Sequence, residues 1–168
     1  MIRKSFLLVA AALLVVSCSG DGPADLMNDA RALEEEGNTS EALTMYETVY
    51  KQHEESDVAP EALFRSAAIY YNTQDDPLKA ATAYELVSEK YPESEFAHRG
   101  LFIAGFTYAN ELKNLERAKK AYERYLATYG DSSMADAVRF ELQHLGTSPE
   151  DVLRALQDAP PPPPTAEN

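Results

Sequence analysis

Small and aromatic residues recur along the middle of the chain at a spacing typical of helices. Three alanines, Ala42, Ala80 and Ala118, recur with a 38-residue period. Each is followed four residues later by a tyrosine, and these tyrosines are Tyr46, Tyr84 and Tyr122. Residues four apart lie on the same face of an α-helix. The pattern therefore predicts three amphipathic helices, each the same part of a repeated unit.

A second set of apolar and small residues precedes each of these helices, also at helical spacing. Its members are Leu26, Ala30 and Leu33; Leu63, Ala67 and Tyr70; and Leu101, Gly105 and Tyr108. The segments between the two sets carry turn and capping residues, namely Gly37-Asn38, Asp75-Asp76-Pro77 and Lys113-Asn114. Each unit is therefore predicted to be a helical hairpin, in which the small residues allow the two helices to approach closely.

The segment after the third hairpin continues the helical pattern. Met134, Val138, Leu142 and Leu145 predict a capping helix over the exposed end of that hairpin. Ser148-Pro149-Glu150-Asp151 is typical of a helix start, and a short helix is expected to carry Val152, Leu153 and Leu156. The run Pro160 to Pro164 predicts an extended tail, either a spacer or a ligand for an aromatic groove.

The repeated units resemble tetratricopeptide repeats. The motif residues are Gly105, Tyr108, Ala118 and Tyr122, with Pro92 as a closing proline in the preceding copy. Longer units with Tyr-Pro-x-Ser linkers, here Tyr91 to Ser94, are similar to BamD-like and YbgF-like envelope proteins. The resemblance implies an all-α fold, a right-handed α-solenoid of three tetratricopeptide-like hairpins plus C-terminal capping helices. The expected divisions are 25–146 for the repeats and cap, 147–158 for the short helix and 159–168 for a Pro-rich, disordered tail.

The N-terminal segment has the layout of an export signal. Arg3 and Lys4 are followed by an apolar run over 6–16 that is too short to span a bilayer comfortably. Residues 14–18, Leu-Val-Val-Ser-Cys, resemble the lipobox of bacterial lipoproteins. This resemblance implies a signal peptide over 1–17, cleavage before Cys18, lipidation of its sulfur, and a tether over 18–24. The alternative is a plain signal peptide with an incidental thiol.

The residue after the cysteine bears on localisation. In Gram-negative lipoproteins an aspartate at this position retains the protein at the inner membrane, and here the residue is Ser19. The resemblance therefore implies a lipid anchor in the outer membrane facing the periplasm. Asp21 and the different sorting rules of other bacteria leave the inner membrane and the cell surface open.

Composition and charge narrow the classes of function. The net charge of −13 disfavours nucleic acid as a partner, because nucleic-acid binding draws on Lys and Arg. The single cysteine and the scattered His53, His98 and His144 have no metal-ligand spacing. We identify no nucleophile motif and no phosphate-binding glycine loop, and the carboxylate runs at 34–36 and 54–55 are typical of solvated turns. The sequence thus predicts no catalytic residues, no metal, no cofactor and no small-molecule substrate.

The first helix of each hairpin is expected to line a concave surface, which such solenoids use for ligands. The main residues predicted to bind a partner on it are Phe64, Tyr71, Asn72, Arg99, Phe102, Phe106 and Asn110. Ala68 of the second unit and Met27 and Arg31 of the first are expected to face the same surface. The phenylalanines could instead pack beneath Leu153 and Leu156 or against a neighbouring hairpin.

These features favour a non-catalytic adaptor whose partners are envelope proteins or peptide segments. The first hypothesis is an accessory lipoprotein of outer-membrane protein assembly that holds a segment of a membrane protein. The second is a YbgF-like coordinator of envelope constriction or a pilotin that escorts secretins. The third, from another class, is an accessory subunit of a peptidoglycan or polysaccharide enzyme.

Overall fold

The computed structural model describes residues 22–158, which form eight α-helices joined by short turns. The signal segment, Cys18, the tail 159–168 and the side chain of Leu156 lie outside the described residues. The helices are α1 (Pro23–Glu35), α2 (Thr39–Gln52), α3 (Ala59–Asn72), α4 (Pro77–Lys90), α5 (Glu95–Asn110), α6 (Leu115–Tyr129), α7 (Ala135–Gln143) and α8 (Pro149–Asp158).

Helices α1 to α7 pack in chain order. Each contacts the next along the chain, and α3 also contacts α5. Contacts between sequential elements, with hairpins stacked side by side, are the arrangement of an α-solenoid. The predicted all-helical solenoid is therefore confirmed.

The repeated Ala and Tyr positions form the centre of this solenoid. Ala42, Ala80 and Ala118 are all fully buried, and the tyrosines four residues later are at most 4% exposed. A side chain larger than alanine's methyl group would force the paired helices apart at these crossings. The repeating pattern thus marks where the helices of each hairpin approach one another.

The second and third units match one another along their first helices. Seven buried positions of α3 recur one repeat period later as buried positions of α5, from Ala59 and Ala97 to Tyr70 and Tyr108. The polar contacts recur as well. The hydroxyl of Tyr70 donates to Glu47, and the hydroxyl of Tyr108 donates to Glu85 at 2.8 Å. Burial and the Glu85 hydrogen bond raise the pKa of Tyr108 to about 12.

The linkers between hairpins also repeat, and they extend the repeat beyond the third unit. The amides of Ala59, Ala97 and Ala135 donate to the carbonyls of Ser56, Ser94 and Ser132, each at 3.0 Å. These positions are again one repeat period apart. Helix α7 therefore begins where the first helix of a fourth unit is due, which gives the predicted capping helix a defined place in the repeat.

The turns inside the hairpins share a backbone conformation. The residue two positions before each second helix has a positive φ: Gly37 (84°), Asp75 (51°) and Lys113 (51°). Asp76 and Asn114 then cap α4 and α6, accepting from the amides of Lys79 at 2.9 Å and Arg117 at 3.1 Å. The equivalent Asn38 makes no side-chain cap to α2. Its amide group donates to Glu36 instead, so the predicted asparagine cap is wrong in the first unit.

The first unit departs from the register of the others. Its turn closes with a hydrogen bond from Asn38 N to Leu33 O, five residues apart. The equivalent bonds, Asp76 N to Tyr70 O and Asn114 N to Tyr108 O, each span six residues. Leu33 is therefore equivalent to Tyr70, and Met27 is equivalent to Phe64. Met27, expected to face the concave surface, is fully buried, and that expectation is wrong.

Lys113→Gly is expected to stabilise the protein by about 1 kcal/mol, because a residue with a Cβ pays that much in the left-handed region and glycine does not. The measurement is the free energy of unfolding in urea, followed by circular dichroism. Lys119→Gly, at an exposed position inside α6, is the matched control and should destabilise by about 1 kcal/mol. Destabilisation by both variants would contradict the assigned strain at Lys113.

Candidate functional site

Phe64 lies in the seam between the second and third units. Its ring is 5.1 Å from that of Tyr84 and 5.4 Å from that of Phe96, which belongs to the next unit. The guanidinium of Arg99 lies over the same ring, 5.1 Å from its centroid. Phe64 is thus half-buried and covered, while Arg99 remains exposed at the edge of the contact.

Phe102 and Phe106 are one helical turn apart on α5. Their ring centroids are 6.4 Å apart, and Phe102 also packs on Tyr122 at 6.3 Å. Phe102 is half-buried, whereas Phe106 is 41% exposed. Among the three phenylalanines predicted for the site, Phe106 is therefore the one that offers most of its ring to a partner.

The polar residues predicted for the site are exposed at the ends of α3 and α5. Tyr71 donates its hydroxyl to Glu111 at 3.2 Å, which links the two helix ends. Asn72 is exposed, and Asn110 donates to the carbonyl of Phe106 at 3.0 Å. We name the surface formed by Tyr71, Asn72, Arg99, Phe102, Phe106 and Asn110 the first-helix surface.

Phe140 on α7 was not predicted as a site residue, although the sequence contains the signal for it. It stands one repeat period after Phe102 and two after Phe64, so it occupies the same position of the fourth unit. Its ring is 44% exposed and lies 4.3 Å from that of His144. Extending the repeat count by one unit would have identified it.

A cleft of about 740 Å³ opens between α5, α7 and α8. We name it the C-terminal cleft. Its lining includes Phe106, Asn110, Leu115, Phe140, Val152 and Leu153. Six large apolar side chains are exposed in residues 22–158, and four of them line this cleft: Phe106, Leu115, Phe140 and Leu153. Such concentration of apolar surface is typical of a binding site for another molecule.

The end of the solenoid opposite the C-terminal cleft, formed by α1 and α3, carries charged side chains that pair with one another. Glu61 accepts from Arg31 at 2.5 Å and from Arg65 at 2.7 Å, and Arg65 also donates to Glu34 at 3.0 Å. Burial opposes ionisation of Glu61, but the two arginines outweigh it and lower the pKa of this carboxyl. Arg31 is consequently engaged with Glu61.

A second cleft, of about 790 Å³, lies at the linkers between the first three hairpins. Its walls carry Glu54, Glu55, Asp57, Glu93 and Glu95, together with Lys90, which pairs with Glu54 at 2.6 Å. None of the residues predicted for the partner site lines it. The carboxylates of the 54–55 run thus face solvent or a lysine.

Neither a membrane-spanning helix nor a metal-binding cluster occurs in residues 22–158. Among these residues, no helix has the length and apolar character needed to cross a bilayer. Within the same part of the chain, no three residues of the histidine, cysteine or carboxylate type come together in a geometry suited to a metal ion.

Two of the repeat units match a known protein family. The model of the tetratricopeptide repeat matches residues 61–94 and 99–132, which cover most of the second and third hairpins. Comparison with curated proteins gives no match. Tetratricopeptide repeats generally serve as non-catalytic scaffolds that bind other proteins, and no catalytic family is indicated. Residues 61–94 and 99–132 are thus two tetratricopeptide repeats at the centre of an all-helical solenoid.

Proposed function

We propose that the protein is a lipid-anchored adaptor of the bacterial envelope, held in the outer membrane through Cys18. Its role is to bind a segment of an integral membrane protein during outer-membrane protein assembly. The exposed ring of Phe106 at the junction of the first-helix surface and the C-terminal cleft carries the proposal, because it is an aromatic side chain that the fold leaves uncovered.

The chemistry around Phe106 suits a peptide segment. Aromatic side chains provide large contact area, and central aromatic residues dominate the binding energy of many interfaces. Asn110 lines the cleft beside this ring, and Asn72 and Arg99 are exposed elsewhere on the first-helix surface; their polar groups can pair with the main chain of a bound segment. The first-helix surface therefore combines an apolar anchor with a polar rim.

The lipid anchor supports the location of the partner. Cys18 ends the lipobox-like run, and α1 begins only a few residues later, at Pro23. Five residues span at most about 18 Å when fully extended. An anchored repeat domain would therefore lie close to the bilayer, within reach of segments that emerge from membrane proteins.

The test is photo-crosslinking in cells, with a photoreactive phenylalanine analogue at Phe106. We expect adducts with a protein that fractionates as an integral membrane protein. Cys18→Ser should release the protein from membranes and reduce those adducts at least about tenfold, since two or more acyl chains anchor a protein stably. The matched control places the analogue at Leu78, which is 52% exposed on α4, outside both surfaces.

Each part of the proposal can fail separately. Membrane association that persists in Cys18→Ser would contradict the anchor. Equal adducts from Phe106 and Leu78 would contradict the first-helix surface.

A further inference from the structure

Helix α7 begins a fourth repeat unit that the described chain does not complete. In units two and three the first helix is followed by a second helix that packs against it, α4 on α3 and α6 on α5. Helix α6, the second helix of the third unit, starts at Leu115. The position one repeat period later is Leu153, where the second helix of the fourth unit is expected to start. Helix α8 begins four residues earlier, at Pro149, and it packs extensively against none of the other helices in residues 22–158.

The missing helix would supply a specific aromatic contact. Phe64 contacts Tyr84 at 5.1 Å, and Phe102 contacts Tyr122 at 6.3 Å. In both pairs the tyrosine follows the phenylalanine at the same interval along the chain and comes from the second helix of the same unit. The residue at the same interval after Phe140 is Pro160, so the sequence provides no tyrosine for the equivalent contact.

The small residue of the second helix is missing as well. The alanines at the hairpin crossings are Ala80 and Ala118, and the equivalent position of the fourth unit is Leu156. The sequence thus lacks both members of the Ala-x-x-x-Tyr pair. In the described part of the chain, Phe140 has no such tyrosine contact and is 44% exposed, while Phe64 and Phe102 are half-buried.

We propose that the C-terminal cleft binds an amphipathic helix of a partner protein, which completes the fourth unit. The bound helix would carry a small residue followed four positions later by tyrosine, and its tyrosine would pack on Phe140 as Tyr122 packs on Phe102. This is the helix-in-groove mode of recognition. The inference goes beyond the proposed function, since it depends on neither the lipid anchor nor a membrane partner.

Charge and composition favour a different protein as the bound partner over a second copy of the chain and over the chain's own tail. A second copy of the chain would bring a net charge of −13 against −13, which opposes association. The tail 159–168 contains no aromatic residue that could take the place of the missing tyrosine. The acidic charge of the chain also favours a partner helix with basic residues outside its apolar stripe.

A synthetic peptide with the sequence of α6, residues 115–129, is the probe. It contains Ala118 and Tyr122 at the required spacing, and its four Lys and Arg against two Glu give it a charge of 4 − 2 = +2. A fluorescent form is titrated with the full chain purified in mild detergent, and binding is followed by anisotropy.

We expect saturable binding that weakens at least about tenfold with Phe140→Ala in the protein, and by a similar factor with Tyr122→Ala in the peptide. The melting temperature of Phe140→Ala should stay close to that of the native protein, because the ring is exposed. Leu78→Ala, on exposed α4 surface away from the cleft, is the control and should bind the peptide as the native chain does.

Four results would overturn the proposal. They are absence of binding to the full chain, equal binding by Phe140→Ala, binding that requires removal of residues 159–168, and dimerisation of the chain that Phe140→Ala abolishes. The third would assign the cleft to the chain's own tail, and the fourth to a second copy. Because the assay needs neither Cys18 nor a membrane, its failure is distinguishable from failure of the envelope adaptor.

Discussion

Ala80→Asp should lower the free energy of unfolding by more than about 4 kcal/mol, a large share of the roughly 5 to 15 kcal/mol that stabilises an ordinary domain. Ala80 is fully buried on α4, and α4 packs on both α3 and α5. A carboxylate there would lose its hydration without gaining a partner, and its side chain would also push the helices apart. The expected measurement is loss of the helical circular dichroism signal in the absence of denaturant, or at much lower urea.

Leu78→Asp is the matched control for this prediction. Leu78 belongs to the same helix, two residues earlier, and is 52% exposed. The same charge at this position remains hydrated, and we expect a change within about 1 kcal/mol. Similar stability of the two variants would contradict the role assigned to the repeated alanine position.

The hairpins could be predicted from the sequence because the same residue types occupy the same packing positions in three successive hairpins. One alanine and one tyrosine are weak signals, since many helices contain them. Their recurrence after one repeat period and again after two requires that each occupies the same place in a repeated structure. The buried positions of α3 and α5 show why: each first helix meets the same neighbours, so the same residue sizes fit.

The first unit shows where this reasoning ends. Its turn is one residue shorter, and the sequence pattern shows this as well, because Leu33 and Ala42 are one residue closer together than Tyr70 and Ala80. Met27 therefore corresponds to Phe64, yet Met27 is fully buried while Phe64 is half-buried, so equivalence in the repeat does not predict its exposure.

The candidate site was predicted less completely than the fold. Burial of Phe64 results from Phe96 and Arg99, which belong to the following unit, so its covering depends on how two hairpins stack. The exposure of Phe106 and Phe140 depends in turn on where the repeats stop. Position in the repeat predicts which face a residue lies on, whereas its exposure is determined by the neighbouring unit.

Tyr122→Ala should destabilise the protein by about 3 to 5 kcal/mol through the cavity that it leaves. The side chain is fully buried and packs on Phe102 and on the backbone of α5 at Gly105. A Cβ on Gly105 would come within 2.6 Å of the Tyr122 ring, so the ring fills the space that the missing side chain provides. The free energy of unfolding in urea measures the effect.

Tyr122→Phe separates the ring from the hydroxyl and should change stability in the opposite direction. The hydroxyl of Tyr122 is buried and has no hydrogen-bond partner among residues 22–158, and its pKa is raised by burial and by the charge of Glu141. Removing it should stabilise the protein by about 1 kcal/mol, since a buried polar group without a partner costs that much or more. Tyr108→Phe is the matched control. It removes the 2.8 Å hydrogen bond to Glu85 and should destabilise by about 1 kcal/mol. Equal losses of stability in Tyr122→Phe and Tyr108→Phe would contradict this prediction. They would show that the Tyr122 hydroxyl has a hydrogen-bond partner in solution, such as a bound water.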